Sequence, residues 1–502
     1  MLIEKLLQGV KITQVIPHGT DIQNLSVDGV STSSGRVSAG DVFVCIKGTH
    51  TDGHLYSQAA ENKGAVAIVA ERPTGAAVPQ IIVENTRSAA AFMWNNYYGD
   101  PARDMAIIGV TGTNGKTSVS FMIREILAAA GYSCGMIGTV KCMAGDEVLS
   151  FGGGSEVDGA AAAMTTPDPE FLYGMLHEMK NRGVTHVVME VSSHSLALHK
   201  LDPIRADVAV FTGLSPEHLD FHGTMENYLS AKSVLFRTAG QCIINGDSPY
   251  SEKLCDLVRR EYIRAGAGES CSIRATDIVR ASGEVMYDLL AGDGRKHHVR
   301  CAMPGKFGVY NSVLAIGACL AAGVTPDTAC AAMGGFCGVP GRMETVARLG
   351  ALRVIRDYAH TPDALMSALE IITCDRGDGK VWLVFGCGGD RDRLKRPQMG
   401  KVASDMADFT VITSDNCRSE NPCSIISDIM SGFDVSKPHK VIPEREEAVR
   451  YAIASAGKND TVLLCGKGHE DYEITAEGKR PFDEVVIALS AIEERRLREA
   501  EN

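Results

Sequence analysis

The sequence has no stretch that approaches the roughly 20 consecutive apolar residues of a membrane-spanning helix. Its N-terminal segment, MLIEKLLQGVKITQV, has no apolar core long enough for a secretory signal, so we expect a cytoplasmic protein. Cys-x-x-Cys pairs, which would suggest a zinc site, are also absent. The 15 cysteines stand singly, some of them within apolar runs such as the one from Val462 to Cys465, so we expect reduced thiols without disulfides.

Positive charge is in short supply. Lys and Arg total 50 against 62 Asp and Glu, which gives a formal net charge of -12. A surface this negative argues against binding to nucleic acid or to an anionic membrane, so an anionic substrate needs a local basic pocket. With 45% hydrophobic and 22% charged residues, and no low-complexity tract, the composition is that of a folded globular protein.

Glycine and proline divide the 502 residues into strand-then-helix units, which predict an α/β protein. At roughly 150 residues per domain, this length suggests about three domains. Turns predicted around residues 99–103 and 340–342 indicate two domain boundaries, and we predict domains at 1–102, 103–340 and 341–502. The apolar runs predicted as strands are 41–46, 65–70, 105–110, 186–191, 206–211, 381–385, 409–413 and 461–465, with a helix at 57–63.

The most specific motif is GVTGTNGKT, residues 109–117, which follows a predicted strand and precedes a predicted helix. Gly112 and Gly115 let backbone amides turn toward phosphate oxygens, Lys116 supplies a positive charge, and Thr117 offers a magnesium ligand. The usual spacing of such a phosphate loop has a glycine where this chain has Val110. The context predicts binding of a nucleoside triphosphate.

Other polar residues end the strands of the same block. Glu190 closes one strand, where it is either a magnesium ligand or a solvated capping residue. His218, Asp220 and His222 alternate after another strand, so they either share one side as metal ligands or form structural hydrogen bonds. Lys232 has the pattern of a lysine on a helix surface.

Six motifs occur in one order along the chain: GVTGTNGKT, MEVSSHSL, LSPEHLDFHG, DYAHTPDAL, GCGGDRDRLKRP and GKGHED. With them, the whole chain resembles the Mur ligase family. The resemblance implies an N-terminal UDP-binding domain, a central phosphate-loop ATPase domain with a mainly parallel sheet, and a C-terminal Rossmann-like domain that receives an amino acid.

The resemblance also implies a reaction. ATP phosphorylates a substrate carboxylate, and an amine then attacks the acyl phosphate to leave an amide, ADP and phosphate. Thr117 and Glu190 are expected to hold one Mg²⁺, and Glu190, His218 and a carbamylated Lys232 a second, while Lys116 neutralises phosphate. The expected catalytic residues are Lys116, Glu190, His218 and Lys232. The expected ATP-binding residues are Gly112, Thr113, Asn114, Gly115, Lys116, Thr117, Ser118, Asn311, Arg342, Asp357 and His360. Gly308 stands where family members usually have Asn.

For a UDP-muramoyl peptide substrate, the matching positions are Ser34, Thr49, His50, Thr51, Thr165, Thr166, Ser192 and Lys200. Three positions in or beside this set depart from the family pattern. The usual Asp-Ser-Arg ends in Gly35, a frequent Gln is replaced by Leu198, and Lys200 stands where many relatives have Arg.

The residues expected to bind the incoming amino acid are Arg391, Asp415, Asn416, Arg418, Gly466 and Glu470. Relatives that select meso-diaminopimelate carry Asp-Asn-Pro-Arg, and this chain has Asp-Asn-Cys-Arg, with Cys417 in place of proline. A guanidinium matches the distal carboxylate of meso-diaminopimelate, whereas it repels a lysine. The resemblance thus implies addition of meso-diaminopimelate to UDP-N-acetylmuramoyl-L-alanyl-D-glutamate.

Two other functions stay open at this stage. One is a related ligase with another acceptor, lysine-adding or folate-type, and the other is a nucleotide-binding switch that has lost its chemistry. A dinucleotide turn at residues 386–391 is discounted because its glycines do not fit G-x-G-x-x-G. We further expect a monomer that takes only small-molecule substrates, and a hinge at 340–342 that lets the third domain close on the second.

Overall fold

The computed structural model describes residues 1–48, 51–149, 164–281, 283–375 and 377–501. Within them the chain forms three α/β domains, each built on its own sheet, and a small two-stranded hairpin. The predicted fold class is confirmed. The predicted domain limits stay a prediction, although the strands of the three sheets occupy 12–83, 106–301 and 344–465.

The first domain carries a five-stranded sheet. Its elements are α1 (Ile3–Leu6), β1 (Ile12–Ile16), β2 (Gly29–Ser31), β3 (Asp41–Val44), α2 (Ser57–Asn62), β4 (Ala67–Ala70), β5 (Gln80–Val83) and α3 (Thr86–Tyr97). The strand order is β1-β5-β4-β3-β2, parallel except where β1 pairs antiparallel with β5. The strands predicted at 41–46 and 65–70 are present but shorter than predicted.

The second domain carries an eleven-stranded sheet. Its elements are β6 (Ala106–Thr111), α4 (Lys116–Ala129), β7 (Cys134–Ile137), β8 (Cys142–Ala144), β9 (Glu147–Val148), α5 (Pro169–Asn181), β10 (His186–Glu190), α6 (Ser193–Ala197), β11 (Val208–Phe211), α7 (Leu219–His222), α8 (Met225–Arg237), β12 (Gln241–Asn245), α9 (Ser251–Val258), β13 (Ile263–Gly266), β14 (Ile273–Ala281), β15 (Glu284–Leu290), β16 (Lys296–Cys301), α10 (Gly305–Ala321) and α11 (Pro326–Gly335). The order is β16-β15-β14-β13-β12-β11-β6-β10-β7-β8-β9. Strands from β7 to β14 are parallel in this order, and the outer ones are antiparallel.

The third domain carries a six-stranded sheet and the hairpin. Its elements are β17 (Glu344–Leu349), β18 (Leu352–Asp357), α12 (Pro362–Asp375), β19 (Val381–Phe385), α13 (Lys395–Met406), β20 (Phe409–Ile412), α14 (Pro422–Met430), β21 (His439–Val441), α15 (Arg445–Ser455), β22 (Thr461–Cys465), β23 (Tyr472–Thr475), β24 (Gly478–Pro481) and α16 (Glu484–Glu501). The order is β17-β18-β22-β19-β20-β21, with only β17 antiparallel to its neighbour.

The central strands are buried on both faces, which explains their unbroken apolar sequences. Strand β6 lies between β10 and β11, and helix α4 packs on this part of the sheet. The helix predicted after the phosphate loop is present, and its apolar residues Val119, Met122, Ile123, Ile126 and Leu127 are all fully buried. Each such side chain contributes about 1.5–3 kcal/mol on burial. This packing fixes the phosphate loop between β6 and α4.

All 15 cysteines are free thiols, and only Cys337, Cys374 and Cys423 are exposed. None of the helices in the described ranges is long and apolar enough to cross a membrane.

Candidate active site

The phosphate loop joins the end of β6 to the start of α4. Val110 is a buried strand residue, and the turn begins only at Gly112, which is why a valine is tolerated at the usual glycine position. Gly115 precedes the helix with a φ of 86°, a left-handed conformation that glycine adopts without strain. The Lys116 ammonium donates to the carbonyls of Gly112 (3.1 Å) and Thr113 (2.8 Å). The loop therefore has the shape and charge of an anion site at a helix N-terminus.

Other loop residues are held by the segment after β11. The Thr113 hydroxyl donates to the Ser215 carbonyl at 3.1 Å and lies 3.2 Å from the Tyr228 hydroxyl. The Asn114 carbonyl accepts from the Thr212 hydroxyl at 2.5 Å. Ser118, in the first turn of α4, is buried. These contacts preorganise the predicted ATP-binding loop.

Glu190 is 1% exposed, so its carboxylate depends on internal partners. It accepts from the Thr117 hydroxyl at 2.9 Å, and from the amide (2.9 Å) and the hydroxyl (3.0 Å) of Thr139. The predicted pairing of Thr117 with Glu190 is thus present, and the solvated alternative for Glu190 is wrong. A hydroxyl and a carboxylate that face one point beside a phosphate loop suit Mg²⁺.

Lys232 is buried, at 1% exposure, so the interpretation as a surface lysine is wrong. Its amine donates to the Gly112 carbonyl at 2.8 Å and lies 4.5 Å from the centre of the Tyr228 ring. Burial and the nearby Lys116 ammonium hold the pKa of Lys232 well below its usual range. Helix α8 directs this lysine inward, under the phosphate loop, where burial favours the neutral amine.

Two of the three residues after β11 share one side. His218 precedes the short helix α7 and His222 ends it, and residues four apart in a helical turn lie on the same face. Both rings contact His194, at centroid distances of 4.7 and 5.5 Å. The His222 ring lies 2.9 Å from the Ser193 hydroxyl, as in the structural alternative, while Asp220 is exposed. The His218 ring lies 3.7 Å from the Glu217 carboxylate. Partial burial lowers the pKa of His218, which favours a neutral imidazole.

Across the described residues, no group of three or more His, Cys, Asp or Glu is arranged to hold a metal ion. The Thr117 and Glu190 pair fits one half of the expected set. Lys232 is directed at a backbone carbonyl, so it is a metal ligand only if its amine gains an anionic group.

The remaining ATP-binding candidates lie where the second and third domains meet. Asn311, on α10, packs against the phosphate loop, since a Cβ on Gly115 would lie 2.7 Å from its Oδ1. Arg342 stacks 4.7 Å from the centre of the Tyr358 ring, and its buried Nε has no partner among the described residues. The His360 ring reaches back to Glu217 at 3.6 Å. The described contacts therefore bring both domains to the phosphate loop.

Asp357 fixes the chain that connects these two domains. Its carboxylate accepts from the amides of Met343 and Ala359, both at 2.8 Å. Burial raises its pKa, and the nearby Arg342 opposes that shift. The hinge at residues 340–342 stays a prediction.

Part of the predicted UDP-substrate set adjoins Glu190. The Thr166 hydroxyl donates to the Glu190 carbonyl at 2.9 Å and accepts from the Ser192 amide at 3.0 Å. Thr165 accepts from the Thr139 hydroxyl at 3.0 Å. The buried Lys200 lies 2.8 Å from the Asp168 carboxylate.

The other members of this set lie in the first domain. Ser34 follows β2, and Thr51 is an exposed residue shortly after β3. Thr49 and His50 lie outside the described residues.

The predicted amino-acid residues come together at the ends of β19, β20 and β22. Arg418 has a φ of 51° and donates to the carbonyls of Gly389 (2.9 Å) and Asn416 (3.2 Å). Arg391 donates to the Asp390 carbonyl at 3.1 Å. Partial burial and the neighbouring Arg418 lower the pKa of Arg391. Within the described part of the chain, neither guanidinium forms an ion pair with a carboxylate.

Asn416 links an anionic group to one of these arginines, because Arg418 donates to its carbonyl. The Glu470 carboxylate accepts from the Asn416 amide at 2.7 Å. Burial raises the pKa of Glu470, and the Asp415 carboxylate adds to that shift. A Cβ on Gly466 would lie 2.7 Å from an Asp415 oxygen, so this glycine leaves room for the carboxylate. The pocket thus offers two cations and an anion to a ligand that carries both charges.

Sequence reasoning missed four residues of this region: Thr139, Glu217, Lys467 and His469. Glu217 directly precedes the predicted His218 in LSPEHLDFHG, and Lys467 directly follows the predicted Gly466 in GKGHED, which is the only signal the sequence gives. Thr139 and His469 lie close together across the domain boundary, since the Thr139 backbone acts to raise the pKa of the His469 imidazole, which burial lowers. Contacts between distant segments leave no local pattern.

Comparison with known proteins agrees with this geometry. Three family models match: the Mur ligase family catalytic domain at residues 26–98, the Mur ligase middle domain at 110–319, and the Mur ligase glutamate ligase domain at 341–468. The fold and site are those of an ATP-dependent, ADP-forming amide ligase. The chain belongs to the Mur ligase family.

Particular relatives cover nearly the full length. The chain is 40% identical over 493 residues to the UDP-N-acetylmuramoyl-L-alanyl-D-glutamate--2,6-diaminopimelate ligase of Geobacillus kaustophilus, covering 96% of this chain and 97% of that protein. It is 37% identical over 501 residues to the ligase of the same name from Clostridium botulinum, covering 98% and 100%. A solved structure of a ligase with this name matches with a TM-score of 0.68 at 29% identity, covering 96% of this chain and 98% of that one.

Proposed function

We propose that the protein adds meso-diaminopimelate to UDP-N-acetylmuramoyl-L-alanyl-D-glutamate, with ATP as the phosphoryl donor, in the synthesis of peptidoglycan precursors. The observation that carries this proposal is the pocket of the third domain, where Arg391 and Arg418 bond only to backbone carbonyls and Glu470 lies nearby. An amino-acid head at the far end of the acceptor carries one carboxylate and one ammonium, and it would pair with these groups.

The nucleotide end of the reaction rests on the phosphate loop. Lys116 leaves its carbonyl partners and neutralises phosphate, while the buried Nε of Arg342 gains an acceptor. ATP supplies the phosphoryl group that activates the substrate carboxylate as an acyl phosphate. Thr117 and Glu190 would hold Mg²⁺, which would lower the repulsion between that carboxylate and the triphosphate.

Lys232 is proposed to act as a carbamate. A neutral amine attacks CO₂, which forms an N–C bond and releases one proton, and burial beside Lys116 favours this neutral form by lowering the pKa of Lys232. The resulting anion, with Glu190 and His218, would complete a second Mg²⁺ site. The unmodified amine cannot do so, since it donates to the Gly112 carbonyl.

The carboxylate that ATP phosphorylates, on the UDP-muramoyl dipeptide, is proposed to lie beside Thr166, Ser192 and Lys200, because these residues contact Glu190 or its neighbours directly. Ser34, Thr49, His50 and Thr51 of the first domain would hold the nucleotide end of the same substrate. The incoming amine then approaches from the third domain, so closure about 340–342 aligns amine and acyl phosphate.

A lysine-adding ligase is the second candidate, because Cys417 replaces the proline expected before Arg418. Lysine lacks the distal carboxylate, so its binding would leave Arg418 without an anion, at a cost of roughly 3 kcal/mol in a desolvated site. No contact in the pocket favours lysine. We further propose that the enzyme acts in the cytoplasm as a monomer.

The test is phosphate release with the UDP-muramoyl dipeptide, ATP and Mg²⁺, supplied in turn with meso-diaminopimelate, L-lysine and L-glutamate. Release that depends on meso-diaminopimelate, together with a product whose mass has grown by that residue, supports the proposal. Release with L-glutamate alone would indicate a glutamate-adding ligase, and no release with any of the three amino acids would contradict the proposal.

A further inference from the structure

Lys467 is a fully buried lysine in the loop between β22 and β23, at 0% exposure. Its ammonium donates to the Asn416 side-chain oxygen and to the Tyr472 carbonyl, each at 3.0 Å. It also lies 3.4 Å from the Asp415 carboxylate and 4.0 Å from the Glu470 carboxylate. A buried ammonium is costly unless it is paired, and this one is surrounded by acceptors from three parts of the pocket.

These contacts decide the orientation of the Asn416 amide. Its Oδ1 accepts from Lys467 and, at 2.9 Å, from the Ile474 amide. With both donors on the oxygen side, the NH₂ group must face the other way, toward Glu470. Asn416 therefore donates to the Glu470 carboxylate at 2.7 Å, which fixes the position of that carboxylate.

We propose that Lys467 is a positioning residue of the acceptor pocket, which aligns Asn416 and Glu470 for the distal ammonium of the incoming amino acid without touching it. The inference rests on the proposed function, because it needs the pocket to take an amine. Lys467 has no exposed surface, so a direct contact with a substrate is excluded in this conformation.

Arg445, a second buried cation near Asp415, has a structural role instead. Arg445 pairs with Glu484 at 2.8 Å and donates to the carbonyls of Ser414 and Cys465. It helps to keep the Asp415 carboxylate ionised, but its hydrogen bonds join α15, α16 and the strand ends. Loss of Lys467 would therefore leave Asp415 and Glu470 close together without a shared cation.

The charges around Glu470 affect its pKa, so the role of Lys467 can be followed in the pH dependence of the acceptor KM. The groups that face it are Asp415 and Lys467, with His360, Tyr358 and Tyr472 around them. Without the Lys467 ammonium, the Asp415 carboxylate opposes ionisation of Glu470 more strongly. The acidic limb of the acceptor KM profile should then shift to higher pH.

The experiment compares Lys467→Met, Lys467→Gln and Lys467→Arg with the exposed Lys458→Met as control, all in the full-length chain. With the acceptor that supports wild-type turnover, Lys467→Met should raise the acceptor KM about tenfold or more. KM for ATP and for the UDP substrate should stay within about twofold. Lys467→Arg, which retains the charge, should recover part of the loss, and Lys458→Met should match the wild type.

An equal rise of all three KM values, or an unchanged acceptor KM with an unshifted pH profile, would overturn the inference. If Lys467→Met does not fold, as judged by nucleotide binding and thermal unfolding, Lys467→Gln decides. Gln can still donate to Asn416 but carries no charge, so it should show the shifted pH profile. Use of an acceptor other than meso-diaminopimelate by the wild type would refute the proposed substrate, while the Lys467 comparison would still be made with that acceptor.

Discussion

Two buried lysines, one on each side of the cleft, lie in opposite electrostatic surroundings. Lys232 lies under the phosphate loop, near the Lys116 ammonium, with one carbonyl and an aromatic ring as its contacts. Lys467 lies in the acceptor pocket, near two carboxylates. A neighbouring cation favours the neutral amine of a buried lysine, whereas neighbouring anions favour the ammonium form. Burial alone therefore does not tell what a lysine does.

The nucleotide side and the acceptor pocket are also expected to differ in which kinetic constants they control. The nucleotide side, built on β6, β10 and β11, is expected to serve every acceptor alike. The acceptor pocket, built on β19, β20 and β22, is expected to set KM and selectivity. Variants on the first side should lower kcat, and variants on the second should discriminate between amino acids.

The largest effect is expected for Lys116→Ala. Without this charge, the phosphate loop loses its side-chain cation, so turnover should fall on the order of a thousandfold with any acceptor. Steady-state phosphate release on folded protein measures it. Near-normal release would remove Lys116 from the reaction.

Next in size is Lys232→Ala. If the carbamate helps to hold Mg²⁺, activity should fall on the order of a hundredfold, and added short carboxylates should restore part of it. The same carboxylates should not rescue Lys116→Ala, which serves as the control. Full activity of Lys232→Ala without rescue would show that its burial has only a structural purpose.

In the acceptor pocket, the variant Arg418→Ala should lose selectivity between amino acids. The preference for meso-diaminopimelate over lysine should fall by about a hundredfold, because the distal carboxylate loses its guanidinium. KM for ATP should not change. A preference that survives in Arg418→Ala would assign selection to another residue.

The smallest effect concerns pH. Burial and Asp415 raise the pKa of Glu470, and the carboxylate must be ionised to pair with the acceptor ammonium. Affinity should therefore be complete above this raised pKa and be lost as pH falls through it, at a higher pH than for an ordinary glutamate. The acceptor KM, followed against pH, should rise on the acid side, and Glu470→Gln should remove that limb.

The sequence predicted much of the fold, because buried parallel strands leave unbroken apolar runs. The strands at 381–385 and 461–465 have the predicted bounds, and β6 differs from its prediction by one residue at each end. The phosphate loop was also predictable, because its strand end, turn and helix start are adjacent in the sequence.

The candidate site was only partly predictable. Lys232 was interpreted as a surface residue because α8 is amphipathic, and only tertiary packing places this lysine under Gly112. The alternation misplaced Asp220 because the segment forms a helical turn, in which this residue lies on a different side from His218 and His222. The proposed role of Lys467 could not be predicted, because it depends on contacts with Asp415 and Asn416, which lie about 50 residues away in the sequence and meet Lys467 only after folding.

One measurement tests the central claim most directly: a competition between equal concentrations of meso-diaminopimelate and L-lysine, with the UDP-muramoyl dipeptide, ATP and Mg²⁺, followed by the masses of the products. The account predicts that the meso-diaminopimelate product exceeds the lysine product on the order of a hundredfold, since lysine leaves the Arg418 guanidinium without an anion. Equal or greater incorporation of lysine would contradict it.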